Sequence, residues 1–156
     1  MAKKQMSREG FDKLQQELTY LITVKRAEIA QKLKEARSYG DLSENAEYDE
    51  AKNEQAILEG KISELQAMVD NAVIVEDDSI SLDEIGVGSV ITIRRVGTDK
   101  IEQLKIVGTN EANVKEKKIS DESPIGKAAM KKKVGDVFIV EAPVGELKFE
   151  VLEISK

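Results

Sequence analysis

The chain has no cysteine, no histidine and no tryptophan. Without cysteine, disulfides and thiolate zinc sites are excluded. Without histidine, the usual general base and the commonest transition-metal ligand are missing. Any metal must therefore be held by oxygen, which favours Mg²⁺ or Mn²⁺. No stretch approaches the roughly 18 apolar residues of a membrane-spanning helix, and the opening "MAKKQMSREG" carries no apolar run. Neither a span nor a signal peptide is expected, and the expected location is the cytoplasm. There is no excess of positive charge either. The net charge of −6 argues against a free-standing binder of duplex DNA. What remains is 35 % charged and 40 % apolar in 156 residues, the composition of a soluble, folded chain of one domain or two small ones.

The hydrophobic pattern changes period partway along the chain. Ser7 can N-cap a helix, and Phe11, Leu14, Leu18, Ile22, Ile29, Leu33 and Ala36 follow at helical spacing. Phe11, Ile22 and Leu33 lie eleven apart, so the first helix contains a stutter. Further on, Tyr48, Ala51, Gln55, Leu58, Ile62, Leu65, Val69 and Ala72 alternate three and four apart, which is an a/d seam. Two such segments joined by a short loop predict an antiparallel coiled-coil hairpin over residues 1–76. Pairing Ala36 with Ala51 sets partner numbers summing to roughly 87, and about 30 residues per helix gives a rod of about 45 Å. Residues 77–84, "DDSISLDE", read as a linker. From 85 to 156 the period becomes two. "SVITIRRV", "IEQLKIVG", "DVFIVEAP" and "ELKFEVLEI" read as strands bordered by glycine. "SPIGKAAMKKK" reads as a short helix with Ser123 as N-cap, Pro124 at its first position and Lys131–Lys133 at its C-terminal end. The expected class is α+β: a helical hairpin followed by a small antiparallel β domain with one short helix.

The hairpin turn, "ARSYGDLSENAEYDEAK", holds five acids between positions 41 and 50 and no base. One reading is structural. Gly40 ends the first helix in a left-handed cap. Asp41 N-caps the second, and Glu44 completes a capping-box variant. Glu47 then sits where the helix dipole favours an anion. A second reading uses the same residues chemically. Asp41 and Glu44, three apart, share a face and can offer oxygen ligands to one hard cation. Two exposed carboxylates are an incomplete Mg²⁺ site, so further ligands must come from whatever the rod enters. Just below the turn, Lys25, Arg26, Lys32, Lys34 and Arg37 stand against only Glu28 and Glu35, and the register brings Lys52 within about a turn of Arg37. This is either a solvated helix face or a phosphate-contacting stripe on an otherwise acidic protein.

"EARSYGDLSENAEYDEAKNEQ" closely resembles the hairpin-tip signature of the bacterial Gre transcription elongation factors, of the GreA type. The likeness extends to "MSREGFDKLQQEL", to "NAVIV", and to "ISDESPIGKAAMKKKVGDVFIVEAPVGELKFEVLEI", nearly the whole chain from residue 6 to 155. "APVGE" departs from the Pro-Gly-Gly that the family often has. The resemblance implies an FKBP-like C-terminal domain that docks at the rim of the RNA polymerase secondary channel, and a coiled coil that enters the channel. At the active centre of a backtracked enzyme the tip would stimulate the polymerase's own cleavage of RNA, restoring an aligned 3′ end. The factor would not itself be the enzyme. It would have no cofactor of its own and would act as a monomer with polymerase and the 3′ end of backtracked RNA as partners. The family's two tip acids carry over onto Asp41 and Glu44, completing a second Mg²⁺ site shared with the polymerase. Its collar bases carry over onto Arg37 and Lys52, the latter often arginine in relatives. Docking is implied around Asp121, Ser123, Pro124 and Ile125, where a merely capped structural helix is an equal reading.

Three other classes are open to test. A channel-binding homologue would inhibit rather than stimulate cleavage. A prolyl isomerase or holdase would want an aromatic-lined pocket, and the C-terminal half holds only Phe138 and Phe149. An autonomous metal-dependent nuclease would have to work without histidine, on exposed carboxylates alone.

Overall fold

A computed structural model describes residues 3–40 and 45–156. The chain forms two compact units. The first is Asp12–Asn71; the second joins the segment ending at Phe11 to Ala72–Lys156.

The first unit is the hairpin. The outgoing arm runs through helix α1 (Arg8–Tyr20), a π-helical segment (Leu21–Lys25) and helix α2 (Arg26–Arg37); helix α3 (Ala46–Asp70) returns. The stutter in the outgoing seam is taken up by the π segment, where an extra residue in the turn brings Ile29 and Leu33 back to the same face. Leu14, Leu18, Ile29, Leu33 and Ala36 on one arm, and Ala51, Leu58, Ile62 and Leu65 on the other, are buried. Arg26 clamps Glu59 with two bonds of 2.8 Å, and Lys32 reaches Glu54 at 2.9 Å, so the arms pair close to the register set by Ala36 and Ala51. Each bridge favours its charged forms. The bond from Arg26 lowers the Glu59 carboxyl below its ordinary value, and the bond to Glu54 raises the Lys32 ammonium. Both pairs are exposed to solvent, so they fix register more than they add stability.

The second unit is built on a five-stranded sheet in the order β5-β4-β3-β7-β6. Its strands are β3 (Val90–Arg95), β4 (Ile101–Val107), β5 (Lys118–Ser120), β6 (Val137–Ala142) and β7 (Gly145–Ser155). The sheet is mostly antiparallel, as expected, with β4 and β5 running parallel. Alternate residues of β3, β4, β6 and β7 enter one core: Ile91 and Ile93, Leu104 and Ile106, Phe138 and Val140, Phe149 and Val151. Phe138 and Phe149 sit directly across the β6–β7 pair and stack at 5.6 Å. Helix α4 (Pro124–Ala129) closes the core with Ala129, and Ile125 packs against it. Ser123 caps α4 as expected, accepting from the Gly126 amide at 3.1 Å. The helix stops at Ala129, so Lys131–Lys133 follow it instead of forming its last turn; Lys131 has a φ of 65° and its amide donates to Ile85.

Along the chain, the boundary between the two compact units falls between Asn71 and Ala72. Strand β1 (Lys4–Met6) pairs in parallel with β2 (Ala72–Ile74), Lys4 opposite Ala72, so the start of the chain belongs with its second unit. Ala72, read from the sequence as a seam position, lies in β2 beyond the end of α3. The fully buried Met6 anchors this clasp. Around it Lys4 pairs with Glu122, Arg8 with Glu76 at 2.6 Å, and the Ser7 amide with Glu111 at 3.0 Å. Ser7 also caps α1, its hydroxyl oxygen accepting from the Gly10 amide at 3.0 Å while the hydroxyl itself donates to Glu111.

Candidate functional site

The hairpin turn is held from both sides. Helix α2 ends at Arg37. Behind it the Ser38 amide donates to Lys34 and Glu35, that of Tyr39 to Ala36, and that of Gly40 to Arg37. Gly40 has a φ of 102°, a conformation that costs glycine little and other residues more. On the far side, Asn45 caps α3. Its Oδ1 accepts from the Tyr48 amide at 3.1 Å, and its Nδ2 donates across the hairpin to the Ala36 carbonyl at 2.6 Å. The cap is therefore Asn45, not Asp41. Asparagine serves as well as aspartate at an N-cap, and unlike aspartate it also carries a donor, which gives the Ala36 carbonyl at the end of α2 a second hydrogen bond beside that from Tyr39. Asp41 and Glu44 lie outside the described residues. Glu47 stands in the first turn of α3, as expected.

Asn45→Ala removes the cap and the cross-hairpin bond together. It should lower stability by about 2 kcal/mol, one for each interaction, read as a fall in the thermal midpoint of the hairpin. Asn45→Asp keeps the cap oxygen but cannot donate to Ala36, and should recover about half.

The exposed Lys34 apart, the bases of the stripe divide into two groups. Arg26 and Lys32 are bridged to Glu59 and Glu54, and Lys25 to Glu28. Arg37 and Lys52 differ. Arg37 lies over the ring of Tyr48 at 5.9 Å, and Lys52 donates to the neutral amide of Gln55 at 3.2 Å. Among the described residues neither is in an ion pair. Tyr48 and Lys52 are one turn apart on α3 and share a face, and the half-buried ring of Tyr48 carries Arg37 over it at that end of the helix. Two cations thus stand at the distal end of the hairpin, positioned by neutral groups and available to an anion. A groove of about 200 Å³ near the same end is lined by Glu35, Glu47, Glu50 and Glu54 with Lys32. Its excess of carboxylates makes it no seat for phosphate. Among the described residues no cluster of acidic, histidine or cysteine side chains could hold a metal ion.

In the second unit, Ser123 and Ile125 serve the fold, one as cap and one as core packing. Pro124 is exposed at the first position of α4. The half-buried Asp121 has its carboxyl raised above the ordinary aspartate value, by burial first and by the neighbouring charge of Glu122 second. Glu122 moves the other way, lowered by its bonds from Lys4 and Thr109.

Sequence reasoning had placed Tyr48 only in the apolar seam and had given Asn45 no role. The signal for Asn45 lay in its position three residues before Tyr48, where the returning seam begins.

The chain matches two family models: "Transcription elongation factor, N-terminal" over residues 4–74 and "Transcription elongation factor, GreA/GreB, C-term" over residues 80–156. It is 53 % identical over 148 residues to the transcription elongation factor GreA of Thermoanaerobacter pseudethanolicus, covering 95 % of this chain and 94 % of that protein. Against GreA of Clostridium novyi the identity is 55 % over 149 residues, with 96 % and 94 % covered. Among solved structures, the GreA factor homolog 1 (Gfh1) of Thermus thermophilus is 31 % identical over 99 % of each chain, with a TM-score of 0.46.

Proposed function

Since the chain belongs to the GreA/GreB family of transcription elongation factors, we propose that it acts on bacterial RNA polymerase by stimulating the cleavage of backtracked RNA, with its hairpin as the working part. The observation that carries this reading is the state of the collar. Arg26 and Lys32 are spent on cross-arm bridges, whereas Arg37 and Lys52 meet only neutral partners among the described residues. An RNA strand running along the hairpin end would meet these two charges first.

Asp41 and Glu44 take the chemical role. Both offer only oxygen donors, which suits a hard divalent cation, and two carboxylates leave most of its coordination to be supplied by others. A bound Mg²⁺ shared with the polymerase would assist formation of hydroxide and stabilise the in-line displacement at phosphorus. The chain's own contribution is to deliver the two carboxylates together, and one of them can orient the attacking water by hydrogen bonding. Arg37 and Lys52 hold phosphates of the extruded segment, on the 3′ side of that point, and fix the strand's register. The second unit docks the factor, with Pro124 and Asp121 as the candidate contacts beside the structural Ser123 and Ile125. The factor works as a monomer in the cytoplasm; among the described residues no helix is long and apolar enough to cross a membrane.

Addition of the protein to stalled, backtracked polymerase complexes tests this directly. Released 3′ RNA fragments and resumed elongation are expected. Slower cleavage than in the untreated complexes would mean a channel-binding inhibitor, and no effect would remove the cleavage reading.

The collar has its own signature. Arg37→Gln combined with Lys52→Gln should impair cleavage most on complexes with a long extruded 3′ segment. The advantage of the unsubstituted protein on those complexes should shrink roughly 5–10-fold between 50 and 200 mM salt, the effect of two phosphate contacts to a single strand. Equal losses on short and long backtracks at all salt concentrations would point to damaged packing instead.

A further inference from the structure

The chain has three tyrosines, and they stand in three different situations. Tyr20 lies beneath the Lys25 ammonium at 5.9 Å, and Tyr48 is half-buried beneath Arg37. Tyr39 is 65 % exposed. Among the described residues its side chain meets no ring, no cation and no hydrogen-bonding partner. Its backbone is nonetheless fixed. The Tyr39 amide donates to Ala36 at 3.2 Å, and the amides of Ser38 and Gly40 on either side are bonded as well. The ring is therefore presented on an ordered turn, where a partner would cost it little conformational entropy. Leaving so much aromatic surface in water forgoes the stabilisation of burial, and among the described residues no contact of the turn uses the ring. Tyr39 follows Arg37 by two residues, in the turn at the same end of the hairpin as the two cations that have no carboxylate partner among the described residues.

Unpaired cations beside an exposed aromatic face are the two elements of single-strand recognition, phosphates held by charge and bases by stacking. We propose that Tyr39 is a stacking platform for one unpaired nucleobase of the RNA strand that passes the Arg37–Lys52 collar. This rests on the cleavage reading above and adds to it a contact to the base, which charge alone does not provide. Stacking tolerates any base, because each has a π face, so Tyr39 would hold the strand against slipping without selecting sequence. It is a positioning residue: it keeps the scissile phosphate in register while other groups carry the chemistry.

The test uses the full chain and stalled complexes whose extruded 3′ segment carries either natural nucleotides or a single abasic residue, moved one position at a time. Tyr39→Ala should slow cleavage of the natural RNA by about 5- to 100-fold, the range for one lost base–aromatic stack. Tyr39→Phe, which keeps the face, should cleave at nearly the unsubstituted rate. At one position the abasic residue should slow the unsubstituted protein to the level of Tyr39→Ala, and the variant should lose nothing more from the same change. The thermal midpoint of Tyr39→Ala should match that of the parent, since the ring is exposed. The proposal is overturned if Tyr39→Ala cleaves natural RNA at the parental rate, or if it is impaired equally on natural RNA and on RNA abasic at every position. A drop in polymerase affinity of the same size whatever the RNA would assign the ring to a protein contact and overturn it too. No stimulation by the unsubstituted protein would end the cleavage reading itself and this assignment with it; stimulation that ignores the missing base ends the assignment alone.

Discussion

Asp41→Ala and Glu44→Ala should each lower stimulated RNA cleavage by at least about 100-fold while affinity for polymerase hardly changes. The size follows from the role. Ligands that complete a catalytic metal site contribute several kcal/mol to the transition state, and each 1.36 kcal/mol is tenfold in rate. The double variant should be scarcely worse than either single one, because residues that act as a unit are not additive. Stability should not follow the activity down. The cap of α3 is Asn45, so removing the Asp41 carboxylate does not remove the cap. Asp41→Asn is the sharper control, since it preserves size and removes the charge that a cation needs. Cleavage at parental rates by both alanine variants would leave the hairpin with a binding role only.

A large effect of another kind is expected at Gly126. Its backbone φ is unexceptional, but a Cβ built there would lie 2.0 Å from the Ser120 carbonyl oxygen. That oxygen is not free to move. It accepts from the Ser123 amide at 3.0 Å and from the Ser123 hydroxyl at 2.6 Å, the bonds that seat the start of α4. Gly126→Ala must displace α4 from the sheet or break this turn, at a cost of about 3 kcal/mol. In a unit of this size that is a fall of about 10 °C or more in thermal midpoint. Gly60, within α3, is the contrast: a Cβ there meets nothing within 4 Å. Gly60→Ala should stabilise the hairpin by about 0.5–1 kcal/mol through helix propensity alone. Calorimetry on both variants separates close backbone approach from mere conformational freedom, and equal midpoints would contradict the packing described for α4.

The hairpin was legible because its seam is long: Leu14, Leu18, Leu33, Leu58, Ile62 and Leu65 declare a helical period and are buried where that period puts them. The four long strands were legible for the same reason at period two. Strands β1, β2 and β5 were not, since three residues carry no measurable alternation and their existence depends on distant partners. The stutter at Ile22 was visible, but spacing alone did not say that a π segment would absorb it. At the turn, the D-x-x-E pattern of Asp41 and Glu44 drew the cap away from Asn45. Both residues are good caps, and the cross-hairpin bond to Ala36 that favours asparagine is a tertiary fact. Arg37 and Lys52 stood out in the charge run and the register, and a family resemblance singled them out from the rest of the stripe as the collar. What the sequence could not distinguish was which bases would be tied to Glu54 and Glu59, because that depends on the exact rotation of one arm against the other.

The clasp between β1 and β2 has a consequence for assembly. Parallel neighbours cannot be joined by a tight turn, and here the connection between them is the whole hairpin. In topological terms the coiled coil is an insertion within the other unit, entering after Phe11 and leaving before Ala72. Antiparallel arms return to their own starting point, so folding the hairpin first closes the long loop between Lys4 and Ala72 and reduces the entropy lost in pairing them. The ion pair of Lys4 with Glu122 spans 118 positions. On the ribosome β1 must wait for most of the chain before its last partners emerge, and the clasp should be among the later contacts to form. A cut at residue 76 would divide this unit rather than separate two independent ones, leaving β1, β2, Ser7 and Lys4 on one piece and Glu111 and Glu122 on the other.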